Sequence, residues 1–226
     1  MTGFESLYPF LYSGTTDVDA VLDQVSRSTT EKTAEIDQLR AEVLERYRDQ
    51  LIKCAGAMAQ SFATGARLFT FGNGGSSTDA QAVAELFQNP GPGARPFPAA
   101  ALTTDIAVLT ALSNDVSFDV VYARSLAANG RAGDIALGLS TSGGSENVLR
   151  GFAEAARRGM LTIGLAGYDG GKMAEAGTID HLFVMPSSSV HRIQEAQTTT
   201  YHVLWELTQL ALSTDDAAVP ELGSTR

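Results

Sequence analysis

Two stretches of small, hydroxyl-bearing residues hold the densest potential for chemistry in this 226-residue chain. One is Gly72-Asn73-Gly74-Gly75-Ser76-Ser77-Thr78-Asp79. The other is Ser140-Thr141-Ser142-Gly143-Gly144-Ser145. Each follows a short apolar run and opens an amphipathic one, the pattern of a strand, a loop and the start of a helix. Glycine lets the backbone come close to a ligand, and hydroxyls donate to phosphate oxygens. The free N–H groups of a first helical turn favour an anion. Together the loops point to a small phosphorylated ligand. Neither is a nucleotide loop: no Gly-Lys-Ser/Thr follows, and position 77 is Ser where a dinucleotide fingerprint needs its third glycine. A third cluster opens the last helical stretch. There Gln194, Gln197, Tyr201 and His202 fall within about two turns, and Gln194 and His202 share a face.

These groups need a scaffold, and the chain alternates strand and helix patterns after Gly65. Strands are expected at 67–71, 99–102, 134–139, 161–166 and 181–184. Helices are expected at 79–87, 106–112, 116–129, 146–158, 172–176 and 190–212. The segment 89–98 holds four of the seven prolines, so it reads as a loop. Such alternation means βαβ units, a parallel sheet and helices on both faces, with ligands at the carboxyl ends of the strands. Before this, residues 21–60 carry apolar side chains at helical spacing (Ile36, Leu39, Val43, Tyr47, Leu51) with charges opposite. They read as one or two long amphipathic helices whose stripe lands on the later domain or on another subunit. Residues 1–20 form an arm, 21–212 one domain, and 213–226 a loose tail.

Composition sets further limits. There are 16 Lys and Arg against 26 Asp and Glu, a net charge of -10, which disfavours direct binding of nucleic acid. Cys54 is the one cysteine, so neither an intrachain disulfide nor a cysteine-based zinc site is available. No apolar run has the length of a membrane span, and Met1 to Phe10 lacks the basic start of a secretion signal. A cytoplasmic protein without membrane contact is expected.

The motifs taken in order resemble the SIS (sugar isomerase) superfamily, and within it the phosphoheptose isomerase group. The matching segments are Gly72-Asn73-Gly74-Gly75-Ser76, Leu109-Thr110-Ala111-Leu112-Ser113-Asn114-Asp115, Gly133-Asp134, Ser140-Thr141-Ser142-Gly143, Asp169-Gly170-Gly171-Lys172-Met173-Ala174 and Arg192-Ile193-Gln194-Glu195. The likeness spans roughly residues 30–212. It implies a three-layer α/β/α fold around a central parallel sheet, preceded by the long N-terminal helices, in a homotetramer. It also implies an aldose–ketose isomerisation of sedoheptulose 7-phosphate or a related sugar phosphate. Phosphate would lie on Ser140, Thr141, Ser142 and Ser145 with Ser76 nearby. Asn73, Gly74, Gly75, Asn114, Asp115 and Gln194 would line the sugar.

In the family a Glu and a His supply the acid–base pair, and many members hold zinc with His, Glu, Gln and His. Here the resemblance breaks. The family's Asp-Ala-x-His-Phe-Ala-x-Glu stands as Asp79-Ala80-Gln81-Ala82-Val83-Ala84-Glu85-Leu86, so Ala82 replaces the zinc His and Leu86 the catalytic Glu. Glu85 is one residue off, about 100° round a helix. His202 is then the expected acid–base group and Glu85 its displaced partner. No metal and no cofactor are expected, because two ligands, Gln194 and His202, do not hold zinc. The alternative is a non-catalytic phosphosugar-sensing or assembly protein, as the DnaA-initiator-associating members of the superfamily are.

Overall fold

Five strands pair in parallel: β1 (Leu68–Gly72), β2 (Ala99–Ala101), β3 (Ile135–Ser140), β4 (Leu161–Gly167) and β5 (His181–Met185). Their order across the sheet is β2-β1-β3-β4-β5. β1 and β3 lie side by side in register from Leu68↔Ile135 to Gly72↔Leu139, so both end at one level. The chain leaves β1 toward β2 on one side and returns to β3 on the other. The gap between β1 and β3 is therefore the topological switch point, where open parallel sheets receive ligands. β1 and β3 are buried along their whole length, as a doubly covered parallel sheet requires.

The computed structural model describes residues 18–217. Seven α-helices lie among them: α1 (Val18–Ala63), α2 (Gly75–Gln88), α3 (Ile106–Asp115), α4 (Val121–Asn129), α5 (Glu146–Arg157), α6 (Gly171–Glu175) and α7 (Val190–Ala217). A 3₁₀ turn (Phe118–Val120) precedes α4, so the helix expected over 116–129 is broken at its start. The long first segment is a single helix of 46 residues. α2 starts at Gly75, four residues before its expected position, because Gly74 takes the role of N-cap and Ser76 to Asp79 form its first turn. The expected arm at 1–20 lies outside the described residues except for its last three. α7 continues five residues into the segment expected as a loose tail.

The chain divides into two compact units, residues 1–38 and 39–226. The described part of the first is helix. Val21, Leu22 and Val25 are exposed there, and Thr29, Thr30 and Thr33 bond back to carbonyls one turn earlier. In the second unit, α1 buries Val43, Tyr47, Leu51, Met58 and Phe62, which recur at one-turn and two-turn spacing. Tyr47 meets Phe183 of β5 edge-on, and its hydroxyl accepts from the Val184 N–H. Phe62 packs on Phe87 of α2 and stacks on Phe97. This half of α1, with α2 and α7, forms one layer. On the other face of the sheet Phe71 of β1 packs against Tyr122 of α4 and Phe152 of α5.

Ionic contacts fix the strand starts. Asp134 is fully buried just before β3. Its carboxylate accepts from the Arg67 backbone N–H and guanidinium and from the Arg131 N–H. Those bonds tie the entries of β1 and β3 together and explain the Gly133-Asp134 pair. Asp180 does the same for β4 and β5 through the Thr162 N–H and hydroxyl. Among the described residues, no helix is long and apolar enough to cross a membrane.

Candidate active site at the β1–β3 switch point

The two loops singled out by their composition emerge from β1 and β3 and meet above the sheet edge. Asn73 and Asn147 exchange side-chain hydrogen bonds in both directions, at 2.8 and 2.9 Å. The Tyr122 hydroxyl donates to the Gly72 carbonyl and sits 3.0 Å from Asn73 Oδ1. Burial raises the pKa of that phenol to about 12, partly offset by the carbonyl bond, so it stays a neutral donor. Asn73 thus locks the first loop to the start of α5. Neither Tyr122 nor Asn147 stands out in the sequence, since both partners lie in other elements.

The β3–α5 loop has the form of an anion cradle. Ser140 is buried with its hydroxyl 3.1 Å from that of Ser145. Ser145 is the N-cap of α5 yet makes no side-chain cap bond. The helix end therefore remains available to an incoming acceptor. Ser142 is exposed and accepts from the Gly144 N–H, and Thr141 is half-buried beside it. Gly143 adopts φ 63°, and a Cβ there would lie 2.0 Å from the Gly170 carbonyl oxygen. The Met173 N–H donates to the Gly143 carbonyl at 2.9 Å. The glycines of Asp169-Gly170-Gly171 are there so that two backbones can touch.

α7 closes the other side. A Cβ on Gly75 would lie 2.3 Å from Gln194 Nε2, so the amide of Gln194 lies directly against the first turn of α2. That amide donates to Asp79 Oδ2 at 3.4 Å. Farther along, Arg95, in the loop after α2, exchanges hydrogen bonds with the Gln209 side chain. Gln194 thus meets the first turn of α2 and Gln209 the loop that follows its last. Burial raises the Asp79 pKa, with the Gln194 bond opposing. Tyr201 is also pushed up, first by burial and further by the Asp79 charge, against a bond with Thr198. Asp79 and Gln194 therefore form a polar pair between the two helices. His202 is exposed and stacks on Tyr201.

Two sets of candidates make no hydrogen bond to this centre among the described residues. Glu85 is exposed on another face of α2, its carboxylate accepting from Asn89 at 3.0 Å. It lines a depression with Thr78, Gln81, Ala82 and Gln88 of α2 and Ala99 to Ala101 of β2. Asn114 and Asp115 are exposed at the end of α3, where the Asn114 amide donates to Asp115. Gln197 is fully buried one turn beyond Gln194, and neither amide atom has a partner among the described residues.

The fit of the family's zinc follows from the donors. Ala82 and Leu86 offer none, and no group of three or more His, Cys, Asp or Glu that could hold a metal occurs among the described residues. The amide nitrogen of Gln194 faces Asp79, as a hydrogen-bond donor rather than a ligand. The residues present do not fit the four-ligand site.

Comparison with known proteins agrees with this arrangement. The SIS domain pattern matches residues 33–167. The chain belongs to the SIS domain family. Phosphoheptose isomerase from Aquifex aeolicus is 42% identical over 184 residues, covering 79% of this chain and 95% of that one. The phosphoheptose isomerase of Nitratidesulfovibrio vulgaris is 40% identical over 187 residues, covering 82% and 89%. The solved phosphoheptose isomerase of Neisseria gonorrhoeae superposes with a TM-score of 0.75 at 33% identity, covering 81% of this chain and 98% of that one. The three-layer SIS fold around a parallel sheet is thereby established for this chain, as the motifs implied.

Proposed function

We propose that the protein is an aldose–ketose isomerase acting on sedoheptulose 7-phosphate or a closely related sugar phosphate. Its relatives at about 40% identity are phosphoheptose isomerases. The observation that carries the reading is the meeting of the Ser140–Ser145 cradle and the Asn73–Ser76 loop at the β1–β3 switch point. In this reading Ser140, Thr141, Ser142 and Ser145 hold the phosphate, with Ser76 close by. Gly74, Gly75, Asn114, Asp115 and Gln194 line the sugar, and Asn73 fixes the loop that carries it. His202 exchanges protons with the sugar oxygens. Glu85 takes part only if the sugar reaches round α2 to the β2 side.

The assembly in this reading is a cytoplasmic homotetramer. α3 buries none of its residues although it is rich in apolar ones, and Ile106, Val108, Val116 and Phe118 are exposed at or just after it. A second copy of the chain is the natural cover for such a surface, and it would add groups to the exposed Asn114–Asp115 corner.

Turnover of sedoheptulose 7-phosphate by purified protein, with and without added zinc, is the test. Formation of the aldose product in both conditions supports the reading. One observation favours the rival, a phosphosugar-binding protein without chemistry: Ala82 and Leu86 lack the family's donor atoms. Tight sugar-phosphate binding with no product in either condition would establish that rival.

A further inference from the structure

We propose that Asp79 is the carboxylate that moves the carbon-bound proton in this isomerase, in place of the side chain missing at Leu86. The proposal rests on the isomerase reading above.

The reaction needs a base beside the sugar carbons. Glu85 is turned away from the Leu86 side. Its carboxylate is held by Asn89 on the β2 side of α2, about 120° round the helix from Asp79. Asp79, by contrast, precedes Ala82 by three residues and Leu86 by seven. It therefore lies within about 20° of Leu86 round α2 and about 60° from Ala82, which itself lines the depression beside Glu85. It is the carboxylate on the Leu86 side, and its Oδ2 is 3.4 Å from the Gln194 amide. Gln194 is held in turn by the close approach of Gly75. Asp79 also stands in the turn after Gly74 and Gly75, next to the loop that meets the phosphate cradle. A sugar phosphate seated on Ser140–Ser145 and extended toward α7 would bring its carbonyl end past this group.

The proton balance is simple. Asp79 takes a hydrogen from C1 of the ketose, and the electron pair of that C–H bond becomes the C1–C2 double bond. The carbonyl π electrons move to O2, which the Gln194 N–H steadies and His202 protonates. The C1 hydroxyl then returns its proton to His202, C1 becomes the carbonyl, and Asp79 gives its proton to C2. One proton has moved from carbon to carbon and one from oxygen to oxygen. Neither an oxidant nor a metal enters. The apolar Leu86 then leaves this side of α2 to the carboxylate two turns nearer the loop.

Asp79→Asn is isosteric and keeps a hydrogen-bonding group for Gln194. It should lower kcat at least a hundredfold, the scale of losing a positioned base. KM and directly measured sugar-phosphate binding should stay within threefold. Exchange of the C1 hydrogen with deuterated solvent should disappear with turnover. Asp79→Glu keeps a carboxylate one methylene away and should exceed Asp79→Asn by tenfold or more. An active wild type whose Asp79→Asn variant keeps its kcat overturns the assignment and leaves the isomerase reading standing. Equal loss in the Asn and Glu variants makes Asp79 structural and also overturns it. A wild type that binds the sugar phosphate yet neither turns over nor exchanges the C1 hydrogen overturns the isomerase reading itself.

Discussion

Gly75→Ala separates the stability of the first loop from its function. The backbone at Gly75 has no left-handed φ, and the residue opens α2, so alanine suits the conformation. Exchanging Gly for Ala inside a helix ordinarily stabilises by roughly 0.5–1 kcal/mol, less at the first position. The new methyl, however, would lie 2.3 Å from Gln194 Nε2 and 3.1 Å from its Cδ. Ordinary contact needs about 3.5 Å, so the amide must retreat by roughly 1 Å. The atom that has to give is the end of a flexible side chain, which makes the retreat inexpensive for folding. It also breaks the 3.4 Å contact with Asp79 and moves the group set to steady the developing oxyanion. A displacement of that size at a reacting centre costs up to about a hundredfold in rate. The expected outcome is an unchanged or slightly raised melting temperature with kcat/KM for sedoheptulose 7-phosphate down ten- to a hundredfold. Thermal unfolding and steady-state kinetics on one preparation decide it. A folded Gly75→Ala variant with wild-type kcat/KM would refute the placement of Gln194 in the working site.

Other expectations follow from the same geometry. Replacing Ser140 and Ser142 together by Ala should weaken sugar-phosphate binding by about 1 kcal/mol per lost hydrogen bond, measured by calorimetry; unchanged affinity removes the cradle from the phosphate. Protein purified without a metal-binding tag should carry no stoichiometric zinc, and zinc that is lost in His202→Ala would show a ligand set other than the one described. Gln197→Leu removes a fully buried amide without partners and should raise stability by about 1 kcal/mol in denaturant melts, whereas a loss would mean the amide is satisfied in solution. Light scattering at micromolar concentration should give a tetramer, and a monomer would leave the exposed apolar residues of α3 unexplained.

The order of strands and helices was written in the chain. Runs such as Leu68 to Phe71 and Ile135 to Leu139 are too short and too uniformly apolar for anything but buried parallel strands among helices. Gly- and Ser-rich turns follow each of them, so both loops could be found from sequence. So could the departure from the family's donor set, because Ala82 and Leu86 carry no donor atoms in any conformation. The missed boundaries have local causes: Gly74 caps α2 without a side-chain signal, and Ser117 starts a 3₁₀ turn ahead of α4. Only the tertiary structure decided which loops meet, since that depends on β1 and β3 being neighbours across a crossover. It revealed the Asn73–Asn147 lock, whose partners are 74 residues apart. It also set Glu85 and Asp79 on different faces of one helix, with Gln194 beside Asp79. Sequence spacing fixes the angle between two side chains on a helix. Which of those angles faces α7 is fixed by how Val83, Ala84 and Phe87 pack into the core.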